Sequence, residues 1–351
     1  MRTMKQRTRA FLFFVGVFLV LLTIVVYDNM GWNNSRIGPL HNVSGNCPET
    51  LSSDIELNKN KIRTYPSASR EYLKLLGLDI IQRYNGTLKT IPVIVSGASS
   101  NHFAEALFMI QHVKSTLYPK FGSMKMIFFD LGCTSSQRER IRQECDCDVR
   151  IFPYEQFPKY VSRVDAYAWK PIAIQMILKD YGSVMWMDCS IRFVADLNRV
   201  FTRALKEGIQ LHSSLNGTTT AIHTDISTFH ALGELPCTFR DTGEMYATWM
   251  VVHATEFVEE YIMKPWVSCA LIPGCMVVNR VVSPCGNDKY YHQCHRFDQS
   301  VLSIILHRLY RGSLEKIHVG DAVWIKCGGY SSLWILPQFI NEFLFEKTRS
   351  C

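Results

Sequence analysis

The 351 residues contain no block of lysines and arginines, although the formal net charge is +7. Four of the positive charges, Arg2, Lys5, Arg7 and Arg9, lie in a short N-terminal tail. The remainder is only mildly basic, which excludes a nucleic-acid groove and leaves room for a phosphate-bearing ligand. Zinc-finger spacing is also missing: Cys145-Asp-Cys147 is too tight, and no Cys-x-x-Cys recurs. The loop Gly97-Ala-Ser-Ser-Asn101 holds a single glycine, so it is neither a dinucleotide fingerprint nor a P-loop. Internal repeats and low-complexity tracts are absent, which removes solenoids and propellers.

What is there reads as a packed globular body behind a membrane anchor. Hydrophobic residues make up 47% of the chain and aromatics 12%. Phe11 to Tyr27 is apolar apart from Gly16 and Thr23, long enough with Ala10 to cross a bilayer. The following VVYDNM offers no small-residue cleavage site, so the segment reads as a single-pass signal anchor and not a removed signal peptide. Basic residues before the span place the N-terminus in the cytosol and the rest in the lumen. The expected layout is a cytosolic tail over 1–9, the anchor over 10–27, a luminal stem and edge helix over 28–89, and the main domain over 90–346. Sequons at Asn33, Asn42, Asn85 and Asn216, all after the span, fit luminal glycosylation. The 12 cysteines fit an oxidising compartment. Cys285 and Cys294 bracket a polar loop that a disulfide could close.

Along the main domain the chain alternates. Ile91–Ser96, Met124–Phe129 and Val149–Phe152 read as strands, separated by helices near His102–Leu117 and Ser135–Glu144. Strand and helix at this spacing imply βαβ units and a parallel sheet, an α/β fold. Ser69–Tyr84 reads as an edge helix. The second half is less regular: helices at Leu197–Glu207, Thr255–Met263 and Arg296–Tyr310, a strand at Ile209–Ser213, and a Pro273-Gly274 bend between short strands.

The stretch Tyr167–Phe193 organises the rest. Lys170-Pro171 opens a helix, since proline suits a first turn that needs no amide donor, and Gly182 stops it. Val184–Met187 is a continuous apolar run, as in a strand covered on both faces. It ends in a lone acid, Asp188. A carboxylate at such a strand end sits at the mouth of a parallel sheet, where open α/β folds bind ligands. Asp188 could instead cap the following turn, but Lys170 on the same unit and Arg192 just beyond favour a site. Ser99, Ser100 and Asn101 could set amides and hydroxyls against a nucleotide, or simply begin a helix with Asn101 as its cap. Asp298 opens the Val301–Tyr310 helix, as a cap or as a base for a hydroxyl. A lone His318 is a structural residue or a late metal ligand. Trp169, Trp186 and Trp324 read as core.

Asp188-Cys-Ser190 resembles the Asp-x-Asp signature of nucleotide-sugar glycosyltransferases of the GT-A fold. That resemblance implies a mostly parallel central sheet flanked by helices, which here would follow the N-terminal transmembrane helix already read from the apolar span. It also implies a divalent cation, manganese, held by Asp188 with His318 against the donor's diphosphate. Ser190 stands where the second acid belongs, which weakens the metal set. The resemblance assigns Lys170, Ser190, Arg192 and the Ser99–Asn101 loop to the substrate, and Asp298 with Asp188 to catalysis. His295-Arg-Phe-Asp298-Gln-Ser300 is similar to the late Asp-Gln helix start of the same enzymes. SSNHF, FFDLG, YAWKP, WMDCSIRF and HRFDQS together resemble an uncharacterised family of single-span luminal proteins, a domain of unknown function. The implied function is a type II membrane glycosyltransferase of the Golgi or endoplasmic reticulum. It would move a sugar from a nucleotide-sugar donor to a glycan, protein or lipid acceptor. The alternative is a non-catalytic luminal sugar- or nucleotide-binding protein with a degenerate transferase fold. A sulfotransferase-like reading would need a better phosphate cradle than Gly97-Ala-Ser-Ser.

Overall fold

The computed structural model describes residues 47–81, 84–122, 124–193, 197–280, 282, 285, 294–319 and 325–327. Its centre is a six-stranded sheet in the order β3-β2-β1-β4-β7-β6. The strands are β1 (Val93–Ala98), β2 (Met126–Asp130), β3 (Asp148–Ile151), β4 (Ser183–Met187), β6 (Ile209–Thr219) and β7 (Gly243–His253). The pairs β1–β2, β1–β4 and β2–β3 are parallel, and β7 runs antiparallel to both β4 and β6. A second, two-stranded sheet pairs β5 (Ile191–Phe193) with β8 (Ile325–Cys327). The fold is therefore α/β with a mostly parallel central sheet and flanking helices, as the alternating pattern implies.

The strands lack polar alternation because both faces are covered. Val93, Val95, Ile127, Phe129, Val184 and Trp186 point into one core, and Ile94, Met126, Phe128, Met185 and Met187 into the other. Side chains that alternate between two apolar layers produce the continuous runs seen in the sequence. Five helices matter here: α1 (Ile55–Arg63), α2 (Arg70–Leu75), α3 (Phe103–His112), α4 (Ser135–Glu144) and α5 (Trp169–Tyr181). Three more follow: α6 (Asn198–Glu207), α7 (Lys264–Leu271) and α8 (Phe297–Tyr310). Helices α5, α7 and α8 cover the first face, while α3 and α6 cover the second.

Several expectations change. The chain joins the body from Cys47 onward, so residues 47–65, expected in the stem, belong to it. Asp54 caps α1 through the Glu56 and Leu57 amides, and Ile62 and Tyr65 are buried. A disulfide joins Cys47 to Cys237, and Arg308 bridges Glu49 and the fully buried Glu234. The edge helix is only α2, since Gly77 follows with a φ of 70°, a left-handed turn that suits glycine. The 269–278 segment is not a pair of strands: α7 runs to Leu271, and a turn closed by the Cys269–Cys275 disulfide follows. The sequence reading missed β7 altogether. Further disulfides are Cys145–Cys147 and the expected Cys285–Cys294. Among the described residues no helix is long and apolar enough to cross a membrane. The anchor segment 10–27, Asn33, Asn42 and Trp324 lie outside the described residues, and the side chain of Asn216 is also outside them. Asn85 is exposed.

Candidate active site

Asp188 follows the last residue of β4, and its amide donates to the Thr248 carbonyl of β7 at 2.8 Å. The chain then turns, Ile191 N donating back to Asp188 O at 3.0 Å, and enters β5. That turn fixes the carboxylate at the carboxyl end of the parallel strands, as the sequence implies. Helix α5 delivers Lys170 in its first turn, and α8 delivers Asp298 in its own. Lys170 Nζ lies 3.0 Å from Asp188 Oδ1 and 3.0 Å from Asp298 Oδ2. It also reaches the Ala247 carbonyl at 3.4 Å. Two residues far apart in sequence thus share one ammonium.

The three groups differ in exposure, and the difference assigns their roles. The side chains of Lys170 and Asp298 are 3% and 6% exposed, whereas that of Asp188 is 25% exposed. Trp186 Nε1 donates to Asp188 Oδ1 at 2.8 Å, which fixes the carboxylate's orientation. The rings of Tyr167, Trp186 and Trp169 stand 5.1, 5.6 and 6.0 Å from the ammonium. Their π faces favour a cation there. Burial alone would pull the lysine's pKa down, but Asp188 and then Asp298 outweigh it and hold the ammonium above its ordinary value. Burial raises the Asp298 carboxyl, with Asp188 adding to the rise and Lys170 opposing it. Burial likewise lifts the Tyr167 phenol.

Tyr167 and Phe297 adopt positive φ, 53° and 42°, and are the two such non-glycine residues among those described. Tyr167 lies two residues ahead of α5, which presents Lys170, and Phe297 opens α8 one residue before Asp298. Their rings are 6.3 Å apart. A bulky residue in the left-handed region costs of the order of 1 kcal/mol, and such strain clusters at functional sites. Beyond these two residues the first turns of the two helices bring Lys170 and Asp298 together. Beside them opens a cleft of about 1060 Å³, lined by Tyr167, Lys170, Asp188 and Asp298 and by Arg163, Arg280 and Arg296. Helix N-termini and guanidinium groups around one cavity suit an anionic ligand.

The other candidates lie elsewhere. Asp298 is not the helix cap, since Arg296 takes that position and Asp298 falls inside the first turn. Arg192 donates to the carbonyls of Cys189 and Ile191 at 2.7 and 2.6 Å, and so braces the β4–β5 turn. Ser190 lies half-buried in that turn. Ser99, Ser100 and Asn101 do not line the cleft. Ser99 Oγ donates to Asn101 Oδ1 at 2.5 Å, and Ser100 Oγ donates to Gly132 O at 3.0 Å. Asn101 lies within a short 3-10 turn that begins after Ser99, so it is not that turn's cap. His318 pairs with Leu211 as a β-bridge and sets Nδ1 2.9 Å from Ser213 Oγ. Trp169 and Trp186 are buried, as read.

The expected divalent cation can be tested against these residues. Asp188 Oδ1 already accepts from Trp186 and faces the Lys170 ammonium. Among the described residues, the three-membered set of possible ligands close enough to share an ion is His223, Cys285 and Cys294. Those two cysteines are bonded to each other. Among the described residues, the groups around Asp188 do not form a ready divalent-cation site, and the cation they hold is an ammonium.

Sequence reading also missed a buried polar chain behind the cleft. His223 Nδ1 is 2.9 Å from Glu244 Oε2, and Gln299 Nε2 donates to Glu244 Oε1 at 2.9 Å. Gln299 therefore anchors the turn that carries Asp298. The visible signal was Glu244, an acid inside an otherwise apolar run.

Residues 78–175 match the family model described as "Protein of unknown function (DUF1647)". No curated protein matches the chain. Among solved structures, the chain is similar to the galactosyltransferase LgtC in complex with donor and acceptor sugar analogs. That likeness has a TM-score of 0.36 and 13% identity, over 62% of this chain and 70% of that one. It is also similar to the mannosyltransferase Ktr4p of S. cerevisiae in complex with GDP. There the TM-score is 0.39 at 12% identity, over 77% and 78% of the two chains. Mouse xyloside xylosyltransferase 1 gives 0.38 at 13% identity, over 62% and 81%. Likenesses this loose leave the function to the chemistry of the site itself.

Proposed function

We propose that the protein is a glycosyltransferase that moves a sugar from a nucleotide-sugar donor to a glycan, protein or lipid acceptor. The observation that carries this reading is the meeting of Asp188, Lys170 and Asp298 beside a large cleft at the carboxyl edge of a parallel sheet. In such a transfer an acceptor hydroxyl oxygen bonds to the anomeric carbon while the carbon–oxygen bond to the diphosphate breaks. The diphosphate leaves with the electron pair, and positive charge near it lowers the barrier. Lys170, Arg163 and Arg296 line the cleft and supply that charge, while the Arg280 guanidinium is paired with Asp225. Asp188, the more exposed acid, faces the substrate, and the buried Asp298 positions Lys170. The base role first expected of Asp298 therefore passes to Asp188 in this reading.

The apolar span, the basic tail before it and the sequons after it support a type II membrane protein of the Golgi or endoplasmic reticulum. In this reading the body from Cys47 onward is luminal. The test is transfer or donor hydrolysis by the full-length protein in detergent, over a panel of nucleotide sugars. Asp188→Ala should lower turnover by about 100-fold or more. Wild-type turnover by that variant would sink the assignment.

A second reading, a binding protein that lost turnover, is favoured by the single acid where two are expected. Nucleotide sugars would then raise the melting temperature without being consumed, with or without manganese.

A further inference from the structure

We propose that Lys170 is the resident cation of this site, and that a diphosphate binds beside it without a divalent metal. The proposal rests on the glycosyltransferase reading for its ligand class, a sugar nucleoside diphosphate. It does not rest on that reading for the assignment of the cation.

The geometry is that of a cation shared by two acids. One carboxylate ends a strand, the other lies in the first turn of α8, and Nζ is 3.0 Å from each. A divalent ion in the same place would need oxygens from both acids and from further ligands. Those positions are taken: Trp186 donates to Asp188, the third lysine proton faces the Ala247 carbonyl, and Ser190 stands where a second acid would help. His318 is turned to Ser213. The ring faces around the ammonium suit a monovalent organic cation, whereas a hard divalent ion prefers oxygen ligands. Asp188 and the buried Asp298 would repel each other as two anions, and the chain supplies the cation between them covalently. An ammonium on α5 arrives with the fold, and its occupancy is independent of metal concentration.

Two measurements on the full-length protein in detergent separate the possibilities. The first follows Mn²⁺ alone by water-proton relaxation. The wild type should show no Mn²⁺ site that Asp188→Asn removes. Lys170→Met, which vacates the position, should gain one, and adding Asp188→Asn should abolish it. Stoichiometric Mn²⁺ binding by the wild type that Asp188→Asn removes would overturn the proposal, and this arm needs no lysine variant. A thermal melt of each variant confirms that it is folded. If Lys170→Met does not fold, Lys170→Arg, which keeps a cation, should bind no Mn²⁺ either. Acquisition of an Asp188-dependent site by that variant would count against the proposal. The second measurement titrates inorganic pyrophosphate in EDTA and again in Mn²⁺. Pyrophosphate should bind in EDTA at least as tightly as in Mn²⁺, where the ion competes with the site by complexing the free ligand. Binding that appears only with Mn²⁺ overturns metal-independent binding. Absence of pyrophosphate binding in both, with the Mn²⁺ arm as expected, refutes the diphosphate ligand and with it the transferase reading. Lys170 would still stand as the resident cation.

Discussion

Truncating Lys170 to alanine is the most informative single perturbation of this fold. The side chain is 3% exposed and lies between carboxylates that are 25% and 6% exposed. Removing one partner of a buried ion pair leaves an uncompensated charge and costs about 3–5 kcal/mol. Asp298 carries most of that penalty, because Asp188 keeps Trp186 and contact with solvent. The sign of the pH dependence follows. Burial already raises the Asp298 carboxyl above its ordinary 3.8, and the lysine is the largest influence opposing the rise. Without it the folded state binds the proton still more tightly than the unfolded chain. Stability of the variant then falls as pH rises from 3.8 through the elevated folded value. The loss should be complete at neutral pH and shrink on acidification. Urea unfolding followed by tryptophan emission measures it, since Trp169 and Trp186 border the ammonium. Lys170→Ala combined with Asp298→Asn should recover most of the loss at neutral pH. A cost under about 1 kcal/mol at pH 7 would refute the reasoning, because surface pairs already reach that value. So would a cost that does not change with pH.

The wild type should lose stability in acid for a different reason. Burial holds His112, His253, His295 and His307 down to about 4, so the unfolded state takes up protons first. Stability is full above 6.5 and declines as pH falls toward 4; a urea midpoint that stays flat over that window would contradict this. Cys47→Ser opens a loop spanning 190 residues, which the chain-entropy model values at about 5 kcal/mol. The variant's denaturant midpoint in non-reducing buffer checks it, and an unchanged midpoint would mean the bond is not formed. Gly182→Ala places a methyl at a φ of 70° and 2.5 Å from the Tyr84 ring, at the end of the helix that carries Lys170. A loss of about 1–2 kcal/mol in urea unfolding is expected. Expressed in a secretory pathway, Asn85→Gln should remove one glycosidase-sensitive step on a gel; an unchanged band would argue against a luminal body.

The site was half legible from the chain, and the division has a physical cause. Asp188 and Lys170 belong to one helix–turn–strand unit, so local periodicity placed both: Pro171 in the first turn, Gly182 at the stop, apolar residues to Met187 and then the acid. The strand was readable because both its faces are buried, which leaves an unbroken apolar run. The position of Asp298 on Lys170 depends on long-range packing that no local pattern encodes. It requires β7 between β4 and β6, and β7 was missed because Glu244 and Thr248 interrupt its apolar run. Of these the site uses the Glu244 side chain, whereas Thr248 contributes only its backbone. Thr248 O holds the Asp188 amide, Glu244 takes Gln299, and Gln299 fixes the turn before Val301. A polar residue inside an apolar run obscures the strand when only periodicity is read. Once the neighbours are known, it marks where the sheet reaches across to another element. Arg192 failed the other way: its charge suggested a ligand, but backbone carbonyls claim its guanidinium. Charge near a motif names candidates, and only the competition for each hydrogen bond decides which remains available to a substrate.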